Sequence, residues 1–176
     1  MGEYSISAAE SIAKITQTIN ALPEQVATAS MRALNKTAAW VKSNCSRRIA
    51  KEKLVKLKII NDRIRVVKAS TANLQARILA NMVSIKARDL GSLRQTSVGA
   101  IAGKHMFEGA FVATMPKTGH ASVFKRTTKK RLPIKEMWLP IYNEATQIIE
   151  KMIDAEASAI FEKHFLHELR FITGAI

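Results

Sequence analysis

Apolar residues recur every three or four positions along the first third of the chain, which is the period of an amphipathic α-helix. Ile12, Ile15 and Ile19 predict a short helix over residues 7–20. Pro23 suits the first turn of a second, longer helix, because the N–H that proline lacks would be unpaired there in any case. The buried stripe predicted for this longer helix consists of Leu34, Ala38, Val41, Cys45 and Ile49.

From residue 65 onward the apolar period changes to two, as in β-strands. Segments 65–69 and 74–79 alternate apolar and polar residues around a short polar stretch, which predicts a β-hairpin. A further strand is predicted over residues 83–88. Five glycines lie between Gly91 and Gly119, so strands joined by glycine-rich loops are expected in this middle section.

The last part of the chain returns to a helical pattern. Segments 110–113 and 121–124 predict two paired strands, and residues 132–139 predict a last strand with Pro133 at its start or at a sheet edge. A long helix is expected from residue 141 to about residue 170.

The order of these elements is helices, then strands, then a helix. It predicts an α+β fold in which N-terminal helices and a long C-terminal helix pack on a mainly antiparallel β-sheet. We expect a single domain over residues 1–176, with a helical part at 1–53, a β-rich part at 65–140 and the C-terminal helix at 141–172.

The charge of the chain is strongly uneven. The formal net charge is +14 and the sequence pI is about 10.2. Residues 41–88 hold 13 Lys or Arg against two acidic residues, whereas residues 136–176 hold seven acidic residues against three basic ones. This layout indicates contact with a strongly anionic partner, and contact between copies of the chain through the acidic end.

The basic stretch gives the candidate site. Lysines and arginines along one segment can neutralise successive phosphates without reading bases, and they can equally dock on an acidic protein surface. Both alternatives stay open for the DNA- or partner-facing candidates Arg47, Arg48, Lys51, Lys53, Lys56, Lys58, Arg63, Arg65 and Lys68. A second basic cluster, residues 126–131, is predicted to lie in a loop.

A further set of residues is expected at contacts with partners. Trp40 falls on the side of its helix opposite the predicted stripe, and the acidic side of the C-terminal helix should face basic surface on its own domain or on the next subunit. The interface candidates are Trp40, Trp138, Glu144, Glu150 and Asp154.

Catalytic, metal and cofactor motifs do not emerge from the sequence. His164 and His167 are three apart on a helix, but the spacing of a zinc protease motif and a third ligand are missing. The stretch 99–105 resembles a phosphate-binding loop with the wrong spacing, and Cys45 is expected to be a buried structural thiol. We therefore expect no enzyme, no cofactor and no metal, and the lack of a long apolar run predicts no membrane segment.

Read in order, three stretches resemble the lambda-type minor tail protein Z family of tailed bacteriophages. They are Arg32-Ala33-Leu34-Asn35-Lys36-Thr37-Ala38 leading into the basic block, the segment 103–113, and residues 123–126 followed by 131–135. The resemblance covers residues 30–142 and extends to the broader phage tail-completion families.

The resemblance implies a virion structural protein of the tail or neck, with no catalytic residues. Such a protein completes the tail and helps to join it to the head, as a ring at the head-proximal end, and six copies are expected by analogy. Its implied partners are itself, other phage tail or neck proteins and possible packaged double-stranded DNA, in the virion and, during assembly, in the host cytoplasm. The alternative is a protein that binds nucleic acid without regard to sequence.

Overall fold

Helix α1 (Pro23–Glu52) is the longest element of the structure, a computed structural model that describes residues 2–6, 12, 22–116 and 119–174. It begins at Pro23, and the backbone N–H of Leu22 donates to Oε1 of Gln25 at 2.9 Å, which satisfies one of the donors at the helix start. The stripe predicted for this helix is confirmed, because all five of its side chains are at most 1% exposed. The helix predicted over residues 7–20 lies outside the described residues except for Ile12.

The C-terminal helix runs along α1 and is confirmed. It consists of α3 (Tyr142–Met152), a π-helical turn (Ile153–Ala157) and α4 (Ser158–Thr173). Buried residues follow at intervals of three or four before and after the π turn, but Met152 and Ala157 are five apart. The wider turn accommodates this interval, so that both halves keep their apolar side toward α1. The buried face comprises Ala145, Ile149, Met152, Ala157, Phe161, Phe165 and Leu169.

A three-stranded sheet contains the predicted hairpin. After the short helix α2 (Leu57–Asn61), strand β2 (Ile64–Val67) turns back into β3 (Ala76–Ala80), with Ile64 opposite Ala80. Strand β1 (Gly2–Ile6) pairs with the other side of β3. The prediction that residues 1–53 are helical was therefore wrong for the first segment, where sheet pairing stabilises a strand too short to show a clear period.

The remaining strands form three small sheets. Strand β4 (Ile85–Lys86) pairs with β11 (Trp138–Leu139), and a 3₁₀ turn (Ala87–Asp89) follows β4. Strands β5 (Leu93–Gln95), β6 (Gly99–Ala102) and β7 (His105–Glu108) form the second sheet. Strands β8 (Ala110–Thr114), β9 (Ala121–Arg126) and β10 (Ile134–Glu136) form the third.

The predicted α+β class is confirmed, with every strand pairing among the described residues antiparallel. Two finer predictions were wrong. The strand predicted over 83–88 is reduced to β4, because the chain turns into the 3₁₀ segment. The last predicted strand is two strands in different sheets. The strands expected in the glycine-rich middle section are confirmed, since the stretch 91–103 contains β5 and β6. The single-domain organisation stays a prediction.

The second and third sheets are joined by the side chain of Gln95. Its Nε2 donates to the Gly99 carbonyl at 2.9 Å, and its Oε1 accepts from the backbone N–H of Val112 at 2.8 Å. Val112 lies in β8, the strand at the edge of the third sheet. The amide side chain thus occupies part of the place that a neighbouring strand would take.

Candidate functional site

The candidate site begins where α1 ends. The N–H of Leu54 donates to the Lys51 carbonyl at 3.3 Å, and the N–H of Val55 donates to the Ala50 carbonyl at 3.0 Å. This pair of bonds is the Schellman motif, which requires a left-handed residue after the helix. Leu54 supplies it with a φ of 49°, where glycine would be the usual residue, and its side chain is 53% exposed.

A cavity of about 630 Å³ lies beside this helix end. Its cationic lining consists of Lys51, Lys56 and Lys104, and its apolar lining includes Leu54 and Leu90. The sequence placed Lys51 and Lys56 among the candidates but not Lys104, which reaches the cavity through the turn between β6 and β7. The structure therefore brings two candidates and one further lysine together around a partly apolar hollow.

A glycine shapes the wall of this cavity. Gly103 has a φ of +59°, and a Cβ built on it would lie 2.4 Å from the Leu90 carbonyl oxygen. No larger residue fits at that separation, so the close approach of the two backbones requires glycine. The stretch 99–105 is accordingly a strand and a tight turn, as expected from its spacing, rather than a phosphate-binding loop.

Two of the nine basic candidates are paired within the chain. Arg48 Nη1 lies 2.8 Å from Glu156 Oε1, and Lys53 Nζ lies 2.6 Å from Glu144 Oε1. The hydrogen bond from Lys53 lowers the pKa of Glu144. These contacts hold the C-terminal helix against the end of α1, so this part of the acidic side faces basic surface of its own chain.

The other candidates lie in α1, in and around α2, and in or next to strand β2. Arg63 Nη1 donates to the Val83 carbonyl at 2.6 Å, and Arg63 and Arg65 line a second cavity of about 220 Å³ that also contains Asp62. Arg47, Lys58 and Lys68 are exposed. No ion pair forms in the described ranges for the six remaining candidates Arg47, Lys51, Lys56, Lys58, Arg65 and Lys68.

The interface candidates occupy different environments. Trp40 is half-buried and packs against the core, so at least part of its predicted second partner is this chain itself. Trp138 is 46% exposed, with the Lys86 ammonium 5.5 Å from its ring centre. Glu150 and Asp154 are exposed and form no ion pair with another described residue.

Sequence reasoning missed a buried acidic residue. The Glu168 side chain is 7% exposed, accepts a hydrogen bond from Lys36 Nζ and lies 3.5 Å from Nη1 of Arg32. These interactions, the one with Lys36 first, lower the pKa of Glu168. A signal was present, because Glu168 lies three residues after Phe165 and so falls on the apolar face of its helix.

Cys45 and His164, which the sequence raised as a thiol and as a candidate metal ligand, both lie in environments that disfavour their charged forms. Burial raises the pKa of the Cys45 thiol to about 12, and its Sγ lies 3.4 Å from Met152 Sδ. Burial, followed by the charge of Lys36, lowers the pKa of His164. Among the described residues no cluster of three or more His, Cys, Asp or Glu is arranged to hold a metal ion. None of the described helices is long and apolar enough to cross a membrane.

Comparison with known protein families matches residues 11–174 of the chain to the prophage minor tail protein Z (GPZ). The chain belongs to this family. Comparison with curated proteins and with solved structures gave no match. Membership in the minor tail protein Z family identifies the chain as a phage tail component, so its partners include other tail proteins and its location is the virion.

Proposed function

We propose that this minor tail protein completes the tail and helps to join it to the head, as a ring at the head-proximal end. The role is structural rather than catalytic, and assembly takes place in the host cytoplasm. Family membership supports a place in the tail. Phage tails and necks have cyclic symmetry, and six copies is the number expected by analogy.

The basic surface in this proposal faces packaged DNA or an acidic neighbouring protein. The observation that carries it is the absence of internal partners for Arg47, Lys51 and Lys56 within the described part of the chain. Arg48 and Lys53 differ, because acidic residues of the C-terminal helix already neutralise them. Exposed cations without internal partners attract an external anion most strongly, since no nearby carboxylate screens them.

The first experiment concerns assembly. Mass measurement of the purified protein and protein analysis of purified particles should show a closed oligomer and a virion-bound subunit. A free monomer that binds duplex DNA tightly and is absent from particles would overturn the proposal. That result would favour the alternative of a nucleic-acid-binding protein outside the virion.

The second experiment concerns the basic surface. The triple variant Arg47→Gln, Lys51→Gln, Lys56→Gln removes three exposed charges and should leave folding intact. Its matched control, Lys151→Gln, Lys163→Gln, Arg170→Gln, removes three exposed charges from the C-terminal helix. The first variant should impair DNA retention in joined particles or DNA delivery, and the control should not. Fully infectious particles with normally retained DNA would refute the DNA-facing assignment and leave docking on an acidic protein.

A further inference from the structure

The hairpin formed by β9 and β10 carries the densest run of positive charge without ion pairs in the described chain. One of its cations, Arg126, lies with its guanidinium 5.1 Å from the centre of the Phe111 ring. Between residues 125 and 135 there are six basic residues and no acidic one. All six are exposed, and none forms an ion pair with a described residue. They are Lys125, Arg126, Lys129, Lys130, Arg131 and Lys135.

The strand register places two of these charges directly opposite one another. Lys125 in β9 is the cross-strand partner of Lys135 in β10. Like charges at such positions destabilise a sheet, because their Cβ atoms lie only about 5 Å apart. A neighbouring carboxylate relieves the repulsion in the α1 block, but none does so here within the described residues.

The loop itself is closed by backbone contacts rather than by charge. Thr127 donates its backbone N–H to the Pro133 carbonyl at 3.2 Å, and its hydroxyl donates to the same oxygen at 3.2 Å. The basic side chains at 129–131 therefore make none of the contacts that close the loop, and they are exposed and accessible to a ligand.

From this arrangement we infer that the hairpin contacts the phosphate backbone of duplex DNA. The assignment rests on the proposed function, which brings the protein to packaged DNA, and it adds a contact element separate from the α1 block. Phosphates adjacent along the DNA can accept from Lys125 and Lys135, which share one face of the hairpin, and from the basic residues of the loop, so the contact reads no bases.

The composition of the hairpin favours DNA over an acidic protein. Four of its six cations are lysines, and its one large exposed apolar side chain is Leu132. Protein interfaces are depleted in lysine and enriched in aromatic residues at their centres, and the loop has no aromatic residue. The lack of aromatic residues also disfavours stacking on single-stranded bases, which leaves the duplex backbone.

The first test measures binding of the full-length protein to two unrelated 30-base-pair duplexes at several salt concentrations. The loop variant Lys129→Gln, Lys130→Gln, Arg131→Gln should weaken binding of both duplexes equally. The slope of log affinity against log salt should become shallower by about two to three units. The control Lys151→Gln, Lys163→Gln, Arg170→Gln should keep the wild-type slope. A loop variant that behaves like this control would overturn the inference.

The α1 triple variant separates the two DNA-facing assignments. If it binds normally while the loop variant does not, the hairpin assignment stands and that of α1 fails. If only the α1 variant loses affinity, the hairpin assignment fails. If the wild type does not bind either duplex at 50 mM salt but binds polyglutamate, both DNA assignments fail and the partner is an acidic protein.

A single charge reversal distinguishes the loss of a DNA contact from the loss of protein stability. Lys135→Glu replaces the repulsive cross-strand pair with an attractive one, so it should raise the melting temperature. The same change should weaken duplex binding by about tenfold at 50 mM salt, because a phosphate contact is lost. Lys151→Glu is the matched reversal on the C-terminal helix and should not weaken duplex binding. A Lys135→Glu protein with unchanged affinity would contradict the inference.

Discussion

Leu54 occupies a backbone position that usually belongs to glycine. Its φ of 49° closes the Schellman motif at the end of α1, and its side chain lines the larger cavity. The left-handed conformation costs about 1–2 kcal/mol for a residue with a Cβ. Strain of this kind persists where the surrounding structure imposes it, and here the two hydrogen bonds of the Schellman motif fix the backbone of Leu54.

Leu54→Gly should raise the free energy of unfolding by about 1 kcal/mol, because glycine adopts this φ without strain. Chemical denaturation measures the change. Leu57→Gly is the matched control, since Leu57 is similarly exposed but lies in the regular helix α2, where glycine lowers stability. Equal losses of stability in both variants would show that Leu54 is not strained.

Glu168 should make folding sensitive to acid. Its folded pKa is lowered by Lys36, so the unfolded chain binds the proton more tightly than the folded one. The stabilising contribution is therefore fully present above the unfolded pKa of glutamate, about 4.3, and is lost as the pH falls through the lowered folded pKa.

The variant Glu168→Gln should lower the free energy of unfolding by about 1–2 kcal/mol at pH 7, because Lys36 and Arg32 lose a charged partner. Its deficit should shrink as the pH falls below the unfolded pKa of glutamate, about 4.3, because the unfolded wild type then binds a proton that the folded wild type does not yet bind. Denaturation curves at pH 7 and pH 3.5 measure both values. Glu150→Gln, at an exposed and unpaired position among the described residues, should have little effect at either pH.

At the scale of elements, period alone predicted the parts of the fold with long regular patterns. The 30 residues of α1 and the hairpin of β2 and β3 show their periods clearly. Strands β5 and β6 have only three and four residues, and β6 is rich in small side chains and approaches the backbone of β7 closely at Gly99. Strands this short, stabilised by pairing with their neighbours, show too few residues to reveal a period of two.

The division of the last predicted strand has a specific cause at Met137. Its backbone N–H donates to the Val123 carbonyl at 2.8 Å, while its carbonyl accepts from Ala87 at 2.9 Å. One residue thus bonds to β9 on one side and to the 3₁₀ turn on the other. The chain passes from one sheet to the next there, which a continuous run of strand-forming residues cannot reveal.

The candidate site was predictable only as a set of surface cations. The carboxylates that pair with Arg48 and Lys53 are 108 and 91 residues away along the chain. The sequence shows which residues are charged but not which of them form ion pairs. It therefore could not distinguish the cations that are neutralised within the chain from those that are available to a partner. The proposed function depends on this distinction.

The Gln95 contact should be visible as local protection of β8. Gln95→Ala removes the acceptor of the Val112 amide, so that amide should exchange with solvent faster by at least tenfold if about 1.4 kcal/mol of local protection is lost. Hydrogen exchange followed by nuclear magnetic resonance measures this rate. Arg94→Ala changes the neighbouring exposed residue of β5 and should leave Val112 unchanged. Unchanged exchange in Gln95→Ala would show that the third sheet does not need the link.

At the scale of the whole molecule, the acidic residues of the C-terminal helix fall into two groups, those that pair with basic residues of the same chain and those that are exposed without such a pair. Glu144, Glu156 and Glu168 face basic residues of the same chain. Glu150 and Asp154 are exposed without an ion pair to a described residue. In the proposed ring these two are the carboxylates available to the basic surface of a neighbouring subunit.

Reversing both charges, Glu150→Lys with Asp154→Lys, should weaken self-association at low salt and matter less at high salt, because screening removes the attraction. Mass measurement over a concentration series follows the oligomer. Glu24→Lys with Glu108→Lys makes the same change in net charge at exposed positions away from the basic surface and should leave association intact. Unchanged assembly in the first variant would exclude this helix face from the interface.

The π turn between α3 and α4 makes the length of the C-terminal helix adjustable at one place. Residues advance by about 100° each in a regular helix, so the five steps from Met152 to Ala157 would turn the second half about 140° past alignment. The wider π turn accommodates one residue more than the four-residue interval of a regular helix, so the two halves stay aligned. Loss of one residue between these positions would restore the regular helical interval and leave Phe161 and Phe165 facing α1. The same loss inside α4 would rotate its remainder toward water, so this turn is where the helix can tolerate a change in length.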